Sequence, residues 1–218
     1  GKFSYTDILE DGKFALIMGD GDDKVYLPLS EASVLFGGEG FDQLVIRAQF
    51  FDQVDIGASG QTVDLLKQDG SLEVAELYDF ELIRVYEVSG MVTEYYTEVG
   101  EHVLDDGVDT ALLLTAADST LVGNGLDNRL KGGEGNDVID GGPGDDILTG
   151  GAGSDTFVKR PGESHDVITD FDAKKDRIDV SEYAVSADAI SLNEVDDGAL
   201  IKIDKDTITL VGFEGTSG

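Results

Sequence analysis

The chain has 218 residues, enough for one large or two modest domains, and its 40% hydrophobic content excludes a disordered acidic tail. Its 46 acidic against 15 basic residues leave a net charge of −31 at pH 7, which repels nucleic acid and anionic lipid and strains a compact fold unless cations neutralise it. There is no cysteine, so disulfides and thiolate metal sites are excluded, and the abundant carboxylates suit a hard divalent ion, calcium first.

No stretch approaches the ~18 apolar residues of a membrane span, and the N-terminus lacks the basic-then-apolar order of a secretory signal peptide. The start at Gly1 reads as that of a fragment excised from a longer protein.

The first region spans residues 1–102. A worn repeat lies within residues 18–45, where GDGDDKVYL from Gly19 and GGEGFDQLV from Gly37 share a turn-then-strand pattern that makes Asp23 and Asp42 equivalent. Their separation of 19 residues places a one-residue bulge in the intervening LPLSEASVL, which has lost its glycines and its aspartate. Residues 46–102 alternate in segments such as QTVDLL, FELIRVYEV and MVTEYYTEV, bounded by glycines, and read as strands. The region is expected to be a degenerate β-roll with a weak calcium site at Asp23 and Asp42.

The second region, residues 103–158, carries a period of nine. From Gly123 the blocks read GNGLDNRLK, GGEGNDVID, GGPGDDILT and GGAGSDTFV. The sixth position holds Asn128, Asp137, Asp146 and Asp155, and the eighth is always apolar: Leu130, Ile139, Leu148, Phe157. Extending the frame backwards puts Val103, Leu112 and Leu121 on the same apolar ladder. A helix is excluded, because each recurring glycine would cost about 1 kcal/mol. Short strands between tight turns fit instead.

Residues 159–218 continue with the strand-like segments DVITDF, RIDV, AISL, ALIKI and TITLVGF, and helix is confined to residues 186–189. This last region is read as a β-rich cap. The whole is expected to be all-β, a right-handed parallel β-roll or β-helix with calcium in its turns.

The repeats explain how such turns could hold metal. Gly133, Gly135, Gly142, Gly144, Gly151 and Gly153 allow positive-φ, close-turning backbone that swings carbonyl oxygens beside the sixth-position carboxylate. Two blocks make one coil, so turns eighteen residues apart stack, and turn 132–137 on 150–155 pairs Asp137 with Asp155. Turn 123–128 on 141–146 pairs Asn128 with Asp146, where a neutral amide in place of a carboxylate weakens the site. The far face of turn 141–146 finds its ligands among Asp166, Asp170 and Asp172, with Asp176 a further candidate. Several ions are expected. Without them the stacked carboxylates repel, so binding free energy becomes folding free energy and the apo roll is expected to be largely unfolded.

Residues 123–158 resemble the hemolysin-type (RTX) calcium-binding repeats of proteins exported by bacterial type I secretion. The next stretch, HDVITDFDAKKDRIDVSEY from His165 to Tyr183, is similar to the segment that follows the repeats in serralysin-type proteases and alginate epimerase R-modules. The resemblance implies an extracellular bacterial protein, exported unfolded, folded outside the cell, and carrying an uncleaved signal near its C-terminus. The chain stops soon after TITLVGFEGTSG, so that signal is expected to be cut off or incomplete.

No catalytic motif accompanies the repeats: there is no H-E-x-x-H and no G-x-S-x-G, and the two histidines, His102 and His165, stand far apart. The chain therefore reads as a non-catalytic calcium-dependent module. The alternative is a domain that holds a polysaccharide or cell-surface glycan, in an adhesin or an epimerase R-module, or the C-terminal part of a secreted protease, lipase or polysaccharide-modifying enzyme. Tyr95 and Tyr96, near Tyr86 and Met91, would supply a sugar-stacking face, though an ordinary strand face explains them as well. Asp204 and Asp206 form a D-x-D pair that reads as a polar strand edge. No nucleic acid and no membrane span is expected, and the sequence leaves the oligomeric state open.

Overall fold

The computed structural model describes residues 5–8, 14–17, 22, 24–27, 32–37, 42–47, 51–57, 60–67, 72–78, 80–87, 89–162 and 165–213. The chain is all-β: apart from one 3-10 turn at Ala187–Ala189, every regular element among these residues is a strand. None of their helical segments is long and apolar enough to cross a membrane. The chain divides into two units, Gly1–Glu98 and Val99–Gly218.

The first unit holds β1 (Tyr5–Ile8), β2 (Phe14–Ile17), β3 (Lys24–Leu27), β4 (Ala32–Phe36) and β5 (Gln43–Arg47). It continues with β6 (Phe51–Ile56), β7 (Thr62–Lys67), β8 (Leu72–Tyr78), β9 (Leu82–Tyr86) and β10 (Val92–Tyr96). Two parallel ladders run through it, β2-β4-β8 and β3-β5-β9, while β1-β2, β6-β7-β8 and β9-β10 are antiparallel. Lys24 pairs with Gln43, which is the same 19-residue offset that separates Asp23 from Asp42. Leu44, Val45 and Ile46 of β5 are buried together with Ile83 of β9.

The second unit is a parallel solenoid of about four coils. One wall stacks β11 (Glu101–Val103), β13 (Thr120–Val122), β15 (Val138–Asp140), β17 (Thr156–Val158) and β19 (Arg177–Asp179). The other stacks β12 (Thr110–Leu113), β14 (Arg129–Lys131), β16 (Ile147–Thr149) and β18 (His165–Ile168). Three-residue strands leave one inward side chain per pass, and the apolar eighth position supplies it. Leu121, Ile139 and Phe157 line one wall and Leu130, Leu148 and Ile168 the other, none more than 1% exposed.

The earliest coil departs from the extended frame. Leu121 pairs with His102, not Val103, and Leu130 pairs with Ala111, not Leu112, so the offset here is 19 residues and not 18. A one-residue slip exchanges the faces of a strand. The slipped register buries Leu104, Ala111 and Leu113, and leaves Val103 59% exposed. Three inward apolar side chains outweigh the two that an unbroken nine-residue count would bury.

At the far end β20 (Ile190–Val195), β21 (Gly198–Ile203) and β22 (Asp206–Val211) form an antiparallel meander whose β22 adds in parallel to β18. Phe157, Phe171 and Phe213 form a tilted column with ring centres 6.2 Å apart at each step, closing the end of the core. The register makes a direct prediction for denaturation in calcium. Ile139→Ala should cost about 2–5 kcal/mol, whereas Val103→Ala should stay within about 0.5 kcal/mol.

Candidate metal centre

The turns join the two walls, and each sixth-position side chain is tied to the coil before it. In one column Asp137 Oδ1 accepts the Ser119 amide at 2.9 Å, Asp155 Oδ1 the Asp137 amide at 2.9 Å, and Asp176 Oδ1 the Asp155 amide at 3.0 Å. In the other, Asp146 Oδ1 accepts the Asn128 amide at 2.8 Å and Asp166 Oδ1 the Asp146 amide at 3.3 Å. Asp137, Asp146, Asp155 and Asp166 are all buried, and among the described residues only Asp166 of the four has an ion-pair partner. Stacking them brings like charges together out of water, which is costly without a cation.

Asn128 shows why an amide serves at the start of its column. Its Oδ1 accepts the Asn124 amide at 2.9 Å, as a carboxylate would, while its Nδ2 donates to the carbonyls of Val108 at 3.0 Å and Asp109 at 3.5 Å. Those carbonyls are thereby satisfied without an ion.

The glycines keep the turns in contact. Gly151 and Gly153 have φ of 100° and 141°, and a Cβ on either would collide with the carbonyl oxygens of Gly133 and Gly135 in the turn below. Gly142 and Gly144 are likewise positive in φ and face the Asn124 and Leu126 carbonyls. Gly133 and Gly135 do not take the positive-φ conformation expected of them. They lie over the non-glycine turn 114–119, and what excludes a side chain there is the backbone of Thr115 and Ala117.

The remaining expected ligands are placed as follows. Asp170 grips the Gly150 and Gly151 amides at 2.8 and 2.9 Å, closing turn 150–155 from beyond. Asp176 occupies the step above Asp155, while Asp172 stands in the turn leading to it, where the Lys174 amide at 3.0 Å holds its carboxyl below the usual range. In the first unit Asp42 is buried, its amide donating to Glu81, whose carboxyl burial pushes upward. Asp23 lies outside the described residues. Asp206, of the D-x-D pair, is buried and accepts the Gly162 amide and the Tyr183 hydroxyl, each at 2.7 Å. Tyr96 is buried with its hydroxyl on Glu94, so it is not part of an outer aromatic platform.

Two observations test whether the turns fit calcium. Asp146 Oδ2 is buried without a hydrogen-bond partner, and the positive-φ glycines leave open the space in front of the carbonyls that any side chain would fill. Among the described residues no three Asp, Glu or His side chains converge on one point, so a cation here must draw on turn carbonyls. Carboxylate plus carbonyl is an all-oxygen set of the kind calcium takes, roughly six to eight oxygens at about 2.3–2.6 Å. The residues fit.

Residues 122–157 match the family description "RTX calcium-binding nonapeptide repeat" in four copies. This segment is an RTX repeat array. No curated protein matches the chain. Among solved structures, the crystal structure of the extracellular lipase LipA from Serratia marcescens aligns with 92% of this chain at 16% identity and a TM-score of 0.31, too loose a superposition to bear on the fold. The chain covers 37% of that lipase chain. One residue of the RTX array's end escaped the repeat frame: Lys159, buried beside Asp166, stands where a fifth block would open on glycine.

Burial, with Asp166 adding to it, pushes the Asp146 carboxyl up from 3.8 to about 7, against the opposing pull of the Asn128 amide and Lys159. A carboxyl raised in the fold keeps a proton that the unfolded chain has lost, so the metal-free roll is favoured at acid pH and loses that advantage as pH climbs from 3.8 to about 7. A calcium ligand must be deprotonated. Calcium affinity measured by calorimetry should therefore rise on the order of tenfold between pH 5.5 and 8, with proton release at the lower pH, and Asp146→Asn should flatten both.

Substitution separates glycines that touch the neighbouring turn from those that do not. Gly153→Ala should destabilise the calcium-loaded protein by about 1–3 kcal/mol or more. At Gly125 a Cβ would meet nothing within 4 Å, and alanine there should change stability by no more than about 1 kcal/mol in the same melting experiment.

Proposed function

We propose that this chain is a calcium-dependent folding module of a secreted bacterial protein, non-catalytic in itself. The observation that carries this reading is the burial of Asp137, Asp146, Asp155 and Asp166 in two stacked columns whose protein partners are backbone amides and one lysine. Net charge of −31 raises the same problem over the whole surface. Ions between stacked turns answer both. The site in turns 132–137 and 150–155 uses Asp137 and Asp155, and that in turns 123–128 and 141–146 uses Asn128 and Asp146, each completed by the carbonyls of the glycine turns.

In this reading residues 103–158 are the metal-bearing roll, residues 159–218 its cap, and residues 1–102 a degenerate roll with a weak site at Asp23 and Asp42. Calcium supplies the positive charge and the oxygen coordination that hold the turns in register. In a calcium-poor cytosol the roll stays open, which suits export as an unfolded chain by type I secretion, and outside the cell it closes. Asp166 and Asp172 supply charge in the cap segment.

The test is removal of the metal. Chelation by EDTA should collapse the β-sheet circular dichroism of the second unit and abolish its cooperative melting, and added calcium should restore both. Spectra and melting unchanged by EDTA would overturn the reading.

A further inference from the structure

Each nonapeptide opens on a glycine that lies against its own turn's sixth-position side chain. A Cβ on Gly132, Gly141 or Gly150 would press on the carboxylate of Asp137, Asp146 or Asp155. The next block begins at residue 159, and there the glycine is replaced by lysine. The lysine side chain is only 1% exposed, and its Nζ stands 2.8 Å from Asp166 Oδ2.

Asp166 is the ladder carboxylate of that block, since its Oδ1 accepts the Asp146 amide just as Asp146 accepts that of Asn128 one coil earlier. Where the repeats place a glycine hydrogen against the ladder carboxylate, this block places a side chain whose ammonium pairs with it. Its charge also reaches Asp146 and, from the cap, Asp206. A buried lysine is tolerated only when paired, and its compact ammonium is a point charge with three donors, the closest a side chain comes to a bound cation.

We propose that Lys159 is a tethered cation that closes the last step of this column, from Asp146 to Asp166, in place of a divalent ion. The proposal rests on the calcium reading of the repeats. Within the calcium-folded roll this step then needs no ion of its own, because the Asp146–Asp166 step is held by the chain's own charge. Removing the ammonium leaves a buried carboxylate beside an open space and turns this step into one more calcium site.

The experiment counts ions by calorimetry on the full chain for the wild type, Lys159→Ala, and Lys159→Ala with Asp166→Asn, and follows folding against calcium by circular dichroism. Lys159→Ala should bind one more calcium than the wild type and need at least fivefold more calcium to fold. Adding Asp166→Asn should remove the extra ion and bring the folding midpoint back toward that of the wild type. A Lys159→Ala protein with the wild-type ion count overturns the proposal. If Lys159→Ala fails to fold at saturating calcium, the double variant decides: recovery of folding supports the charge role, and failure to recover overturns it. A wild type that binds no calcium would instead defeat the reading of the repeats, so the two failures are distinguishable.

Discussion

A carboxylate that accepts the backbone amide of the coil before it organises the whole second unit. The bond from the Asp137 amide to Asp155, and its equivalent from Asn128 to Asp146, sets the rise from one coil to the next and locks the register of every strand that follows. Turns held this close have no room for side chains between them, which is why Gly151 and Gly153 face carbonyls directly. One residue beyond each carboxylate the chain enters a strand, and the pleat turns the next side chain inward, so Ile139, Leu148 and Phe157 arrive in the core as a consequence of where Asp137, Asp146 and Asp155 are pinned.

The same bond creates the structure's chief burden, since it gathers negative charge where water is excluded. The column that runs from Asn128 to Asp166 meets that burden in different ways along its length. At its start an amide replaces the carboxylate and its Nδ2 covers the carbonyls beneath. At its end an ammonium stands beside Asp166. Between them Asp146 keeps a carboxylate oxygen with no protein partner, and it is there that we place metal. The neighbouring column has neither device, and its carboxylates stand over one another through Asp137, Asp155 and Asp176.

Much of this was legible in the chain itself, because a period of nine with a fixed acid and a fixed apolar position leaves one way to bury Leu130, Ile139, Leu148 and Phe157. The stacking of turn 132–137 on 150–155 followed from counting alone. Counting failed where the repeat loses its glycines. Val103 and Leu112 lay on the arithmetic ladder, yet His102 and Ala111 took the rungs, because in a stretch without the paired repeat glycines the gain from burying Leu104 and Leu113 decides the register. Beyond residue 158 the offset from coil to coil stretches from 18 to 20 and 21, and spacing no longer ranked Asp166, Asp170, Asp172 and Asp176. Lys159 escaped because a lysine after a strand reads as solvated, and only the position it shares with the repeat glycines marks it as internal.

The two walls of the roll are served by alternate blocks, and each cap residue fits one column only: Asp166 with Lys159 meets the column of Asp146, while Asp176 meets that of Asp155. Loss of a single nonapeptide would carry everything after it to the opposite wall and set each cap residue over the wrong column. Loss or duplication of two blocks leaves every partner in place. By this register the array lengthens or shortens without mispairing only by whole coils of eighteen residues, although its visible period is nine.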